Sequence, residues 1–325
     1  MPDYGRDLLF GAFITPVAAP AQQAVELVVT AEKAGLDLAA FQDHPYQPRF
    51  LDTWTLLSYA AARTSRIRLV PDVLNLPLRQ PVVIARSAAS LDLLSGGRLE
   101  LGLGTGAFWD AIAAAGGQRL TPGDAVTGLE EAIRIIRGVW NAGDSAPLRV
   151  DGRIHRVIGA KRGPAPARDV GIWLGAYKPR MLRLTGEAAD GWLPSLGYLR
   201  GGPVDLVPLN AQIDDAAAAA GRDPAAVRRL LNISGSFEAT GRGLLQGPVT
   251  RWVEELTGMA LEHGISGFIL ASDDAGAITR FGAEVAPAVR EKVAAFRSGT
   301  AQGTTLEGTR TAREGEGLPR RNPES

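Results

Sequence analysis

Eight times along this chain a short apolar run gives way to a stretch of helical periodicity, and that alternation restricts the fold more than any other feature. Strands are predicted at residues 8–14, 36–41, 67–73, 98–103, 170–174, 191–193, 230–237 and 267–271. Helices are predicted at 21–34, from Asp52 as N-cap to Arg63, from Pro81 onward, and at 124–140, 179–189, 203–220, 248–263 and 275–296. Gly35 follows the first helix as its stop. Eight strand–helix units without a separate domain predict an α/β fold, a (β/α)₈ TIM barrel. An open doubly wound sheet is the runner-up.

Within that frame the segment 141–169, rich in Gly, Pro and Arg, reads as an insertion between the fourth helix and the fifth strand, with a short hairpin near 148–158. The barrel domain is expected to cover residues 1–297. Residues 298–325 carry two leucines among Gly, Thr, Arg and Glu, and are expected to form a disordered tail.

Composition removes several function classes. The 35 basic and 35 acidic residues cancel, so no charge footprint points to nucleic acid or an anionic membrane. There is no cysteine, hence no disulfide, thiolate metal site or cysteine nucleophile. No apolar run approaches the ~18–20 residues that cross a bilayer. With no secretory leader in view, a cytoplasmic protein acting on a small molecule is expected.

Catalytic groups of such barrels come from the carboxyl ends of the strands and the loops after them. Asp43-His44 closes the second strand. A histidine there is a natural proton donor or acceptor, because its charge changes near neutral pH; the bland alternative is a loop histidine bonded to its neighbours. His155 and His263 lie elsewhere, which argues against a metal cluster. The third strand ends Val70-Pro71-Asp72-Val73-Leu74-Asn75. Proline lacks a ladder donor, so pairing is expected to break there, as a bulge that either ends the strand or backs a flat ligand.

The fourth strand ends Gly104-Thr105-Gly106, then Ala107-Phe108-Trp109. Glycines around a threonine let a ligand approach the backbone, although this string alone is more often a tight turn. In the strand itself, Leu99, Leu101 and Leu103 are expected to face the helices, with Glu100 and Gly102 inside. After the fifth strand, Gly175-Ala176-Tyr177-Lys178-Pro179-Arg180 enters a helix, either as a phosphate cradle or as a solvated helix start. Ser95-Gly96-Gly97-Arg98 precedes a strand and reads as structural.

Taken in order, the segments Phe41-Gln42-Asp43-His44, 67–81, 94–106 and Ala189-Asp190-Gly191-Trp192 resemble the luciferase-like monooxygenase superfamily, over about residues 8–296. That superfamily includes bacterial luciferases, FMN-dependent monooxygenases and coenzyme F420-dependent reductases and dehydrogenases. The resemblance implies a redox ring at the barrel mouth, coenzyme F420 or alternatively FMN. His44 then corresponds to the proton-handling residue and Asp43 to a ring contact. A non-proline cis peptide is implied at Asp72-Val73, with Gly104, Thr105 and Gly106 along the ring and ribityl chain. Gly175, Ala176, Tyr177 and Lys178 are implied to hold the phosphate.

Two departures from the family pattern matter. Some F420-dependent sugar-phosphate dehydrogenases carry a Glu directly after Gly-Thr-Gly, where this chain has Ala107, which disfavours that substrate class. Tyr177-Lys178 stands where many relatives have glycine. Phe13, Tyr46, Trp54, Phe108 and Trp109 suggest an aromatic-lined substrate pocket. The leading expectation is hydride transfer between F420 and a small organic substrate. The alternatives are an FMN-dependent monooxygenase using reduced flavin and O₂, and a non-catalytic flavin-binding relative. A metal-dependent barrel hydrolase lacks enough strand-end ligands. A homodimer, and a separate flavin or F420 reductase supplying reduced cofactor, accompany the resemblance.

Overall fold

Strand β1 (Leu9–Ile14) pairs in parallel with β2 (Leu38–Phe41) on one side and with the last strand, β13 (Gly267–Ala271), on the other. The chain therefore returns to its own start. The computed structural model describes residues 3–311, with side chains as far as 299. From β2 the sheet continues to β3 (Arg68–Pro71). In the other direction it runs from β13 through β10 (Arg228–Ile233), β9 (Gly191–Trp192) and β8 (Ile172–Leu174) to β5 (Leu101–Gly104) and β4 (Leu74–Asn75). The ring closes where the Leu69 N–H donates to the Arg98 carbonyl at 2.8 Å and the Glu100 N–H donates to the Leu69 carbonyl at 3.1 Å.

Strands β3 and β4 are the two halves of the predicted third strand. The first half pairs with β2 and the second with β5, and the break between them falls at Asp72-Val73, whose peptide is cis. Pro71 explains the break, since it offers no donor to continue the ladder. The predicted seventh strand, 230–237, is also two pieces. After Ile233 the chain leaves the barrel, and Ser236–Phe237 (β11) pairs with Gln246–Gly247 (β12).

The helices ring the barrel: α1 (Gln23–Lys33), α2 (Thr53–Arg63), α3 (Pro81–Ser95), a short α4 (Trp109–Ala114) and α5 (Pro122–Trp140). They continue as α6 (Pro179–Ala188), α7 (Leu206–Ala219), α8 (Val249–His263), α9 (Ala275–Arg280) and α10 (Ala286–Thr311). Local signals set several ends. The Asp52 carboxylate accepts the Thr55 N–H at 3.0 Å as an N-cap, and Gly35 takes φ 89° just past α1. Strands β6 (Leu148–Asp151) and β7 (Arg156–Ala160) pair antiparallel between α5 and β8. Of the tail expected at 298–325, residues up to Thr311 continue α10, and 312–325 lie outside the described residues.

Two cores follow from strand alternation. Leu99, Leu101 and Leu103 join the layer between strands and helices, as predicted. A smaller cluster fills the barrel itself, with Leu38, Val70, Trp173, Leu193, Leu230 and Ile269 packed together beneath Phe13 and Val73. At the amino end, Glu100 is 4% exposed and takes ion pairs from Arg68 at 2.9 Å and Arg168 at 2.8 Å. The opposite end is left for the loops.

Candidate active site at the carboxyl mouth of the barrel

His44, Asp72 and Thr105 follow β2, β3 and β5, which are parallel, so all three stand at the same end of the barrel. His44 is half-buried, and its Nδ1 lies 2.7 Å from the Tyr46 hydroxyl, leaving Nε2 as the ring nitrogen without a hydrogen-bond partner among the described residues. Three aromatic rings enclose it: Tyr46 at 5.4 Å, Phe50 at 6.4 Å and, edge-on, Phe108 at 5.5 Å between centroids. Burial holds the His44 pKa below the ordinary histidine value, against the opposing pull of the Asp43 charge. The imidazole is thus set to be neutral near pH 7, able to accept a proton. The same two causes, burial and the Asp43 charge, raise the Tyr46 phenol.

Asp43 is engaged by the scaffold. It is 3% exposed; its Oδ2 accepts from the Asn75 N–H and Arg79 Nε, both at 2.9 Å, and its Oδ1 accepts from Arg79 Nη2 at 2.8 Å. Arg79 also reaches Asp52 at 2.8 Å. This bidentate clamp fixes the loop after the split third strand against the end of β2. It sets where His44 sits.

The Gly-Thr-Gly string serves packing as much as any ligand. A Cβ built on Gly102 falls 2.1 Å from the Pro71 carbonyl oxygen, and one on Gly104 falls 2.5 Å from a Val73 methyl. At Gly106, with φ 89°, it falls 2.8 Å from Pro77. These glycines make room for the bulge at 71–73 and the turn behind it. Thr105 Oγ1 makes only a long contact, 3.4 Å, to the Gly106 carbonyl. A Cβ at Gly175 would sit at ordinary contact distance, 3.7 Å, from Val73 and Leu193.

Ala176 is 1% exposed and its carbonyl accepts from Trp192 Nε1 at 2.8 Å. The Tyr177 hydroxyl accepts the Ser195 N–H at 2.7 Å. Both residues are therefore turned to the scaffold. Lys178 is exposed at the N-cap of α6, which has no side-chain cap, whereas Arg180 is committed to Gly123 and Thr127 on α5. Of the predicted aromatic pocket, Phe13 packs on the inner core and Tyr46 and Phe108 meet at His44. Trp54 packs on the outer core, and Trp109 begins α4.

Sequence reasoning missed Asn75, Arg79, Asn232 and Phe50. Asn232 had a readable signal: it alternates with Leu230 on the inward face of a buried strand, where a polar residue has nothing to gain from packing. The oxygens Asp72 Oδ2, Asn75 Oδ1 and Asn232 Oδ1 are buried without a hydrogen-bond partner among the described residues. Such atoms at the mouth fit a ligand with donor groups, so the residues present are compatible with a bound redox ring.

A (β/α)₈ barrel with a half-buried histidine and unmatched acceptors at its carboxyl mouth has the layout of a small-molecule site. The luciferase-like monooxygenase profile matches residues 8–240, and the chain belongs to that family. An F420-dependent glucose-6-phosphate dehydrogenase of Nocardia farcinica is 32% identical over 228 residues, 67% of this chain and 65% of the relative. A 5,10-methylenetetrahydromethanopterin reductase of Methanolobus tindarius is 35% identical over 219 residues, 67% and 62% of the two chains. The chain thus spans slightly under two thirds of these relatives. An F420-dependent secondary alcohol dehydrogenase in complex with an F420-acetone adduct superposes with a TM-score of 0.76 at 18% identity, covering 87% of this chain and 99% of that one. For a long-chain alkane monooxygenase the TM-score is 0.74 at 14% identity, covering 88% and 92%. These last two likenesses concern the fold. No helix among the described residues is long and apolar enough to cross a membrane, and none of those residues form a group of three or more His, Cys, Asp or Glu able to hold a metal ion.

Proposed function

We propose that the chain is an oxidoreductase that moves a hydride between coenzyme F420 and a small organic substrate, with His44 managing the accompanying proton. The observation carrying this reading is a half-buried His44, neutral at working pH, at the barrel mouth that also holds three unmatched oxygens. The name of the Nocardia relative, an F420-dependent dehydrogenase, supports the choice of cofactor. F420, when bound, supplies the ring carbon that gives or takes the hydride.

This chain's own residues do the rest. Val73 offers an apolar surface on the inner core, and Gly175 leaves space beside it. Lys178 and the uncapped start of α6 offer positive charge for a phosphate. Phe108, 57% exposed, and Tyr46 wall the substrate side beside the His44 ring. Ala107 leaves that loop without an acid, so His44 is the group that holds the proton. A homodimer and a separate reductase that supplies reduced cofactor belong to the same reading.

An FMN-dependent monooxygenase is the second reading, favoured by the monooxygenase folds that superpose on the chain. Titration of the purified protein with F420 and with FMN, followed by fluorescence, separates the two. Saturable binding of F420 with weak FMN binding is expected; tight binding of FMN alone transfers the assignment to the monooxygenase.

A further inference from the structure

Five buried side-chain polar atoms lack a partner among the described residues, and three of them lie at the barrel mouth. Thr257 Oγ1 and His263 Nδ1 are on α8, remote from it. Asn75 is 5% exposed and Asn232 is 8% exposed. In register, Asn75 faces Gly104 while its neighbour Leu74, opposite Leu103, belongs to the outer core, so Asn75 lies on the inward face of the barrel wall. Asn232 pairs with Ile269 of the inner core and approaches Asp72 from the opposite wall. Asn232 Nδ2 makes a long contact, 3.3 Å, to Ser195 Oγ and also faces the Asp72 carboxyl, whose Oδ2 is left unmatched.

An acceptor shut away from water without a donor costs about 1–3 kcal/mol. Leucine at 232 would pack on the inner core without that cost. A fold that keeps three such oxygens on one floor is built to match something that enters from the mouth. We infer that Asp72 and Asn232, with Asn75 beside them, form an acceptor cluster that selects the ligand edge seated in the barrel, one presenting N–H or O–H donors. This rests on the mouth being the cofactor or substrate site. Asp72 and Asn232 are then specificity-determining residues in addition to His44.

The burial of Asp72 agrees with this placement. Burial pushes its carboxyl up to about 7, against a weaker opposing hydrogen bond from Asn232. Tyr177 is the other ionisable group recorded against it. A carboxyl raised from 3.8 to about 7 holds its proton longer in the folded state than in the unfolded one. Stability therefore falls as pH climbs between those values and stays lowered above them.

The test uses the full chain, with melting temperature of the cofactor-free protein and fluorescence titration by F420 and by FMN. For Asn232→Leu we expect a melting temperature equal to or above wild type and binding weakened about tenfold or more. Asp72→Leu is expected to weaken binding likewise. Its melting temperature should gain on wild type as pH rises from about 4 to about 7 and level off beyond. Variants that lose melting temperature while binding as wild type does make the cluster structural and overturn the inference alone. Wild-type protein that binds neither cofactor overturns the cofactor reading, and the inference with it.

Discussion

His44 owes its character to what surrounds it. Three rings and the end of β2 withdraw it from water, and that burial outweighs the nearby carboxylate in setting its charge. Replacing it with alanine removes the imidazole proposed to handle the proton while leaving the floor of the mouth untouched. His44→Ala is expected to bind cofactor nearly as wild type does and to turn over about 10²–10⁴ times more slowly. Single-turnover rates beside a binding titration check this; an unchanged rate removes the role. Because the His44 pKa is lowered, a reaction using it as base should hold its rate down through pH 6.5 and lose it only below. Asp43, next to His44 in sequence, also braces the loop carrying Asn75 and Arg79 through three accepted hydrogen bonds.

At the scale of elements, the amino ends of the strands carry the braces. Arg98 lies between α3 and β5, in the string read from sequence as structural. Its guanidinium donates to the carbonyls of Ala61 at 2.7 Å, Ser95 at 2.9 Å and Ile67 at 3.1 Å, and to Thr64 Oγ1 at 3.0 Å. One side chain thus satisfies the last carbonyls of α2, the entry to β3 and the end of α3. Arg98→Ala leaves those acceptors unmatched and should cost about 2–4 kcal/mol. A lower urea midpoint at unchanged slope, with cofactor affinity unaltered, is the expected result. Altered affinity at full stability would instead tie this face to the site. The same scale shows how a strand breaks to make a site: β3 and β4 part at Pro71, and Gly102 and Gly104 on the neighbouring strand give the bulge its room.

The whole barrel depends on its last helical stretch. Phe281, Val285, Ala286, Val289 and Val293 are at most 1% exposed and complete the outer core. Arg290 reaches Asp37 at 2.5 Å and Arg297 reaches Asp3 at 2.8 Å, tying this stretch to the first strands. Burying large apolar side chains is worth about 1.5–3 kcal/mol each, and a domain has only about 5–15 kcal/mol to lose. A chain ending at residue 280 is therefore expected to lack cooperative unfolding, seen as loss of near-ultraviolet circular dichroism and of a thermal transition. A folded truncate with a sharp transition would show that the eight strands close without the stretch after α9.

The amino-acid sequence by itself determined the eight units, the face the fourth strand turns to the helices, and the helix caps at Asp52 and Gly35. Those features are local: each follows from the period of apolar residues and from neighbours within a turn or two. Only the tertiary structure decided that Asp43 braces while Asp72 stays unmatched, that two glycines serve a bulge, and that Asn232 crosses the mouth to Asp72. Those are contacts between walls of a closed barrel. A side chain's charge and partners there depend on which distant strand it meets and how much water is excluded, and closure alone settles both.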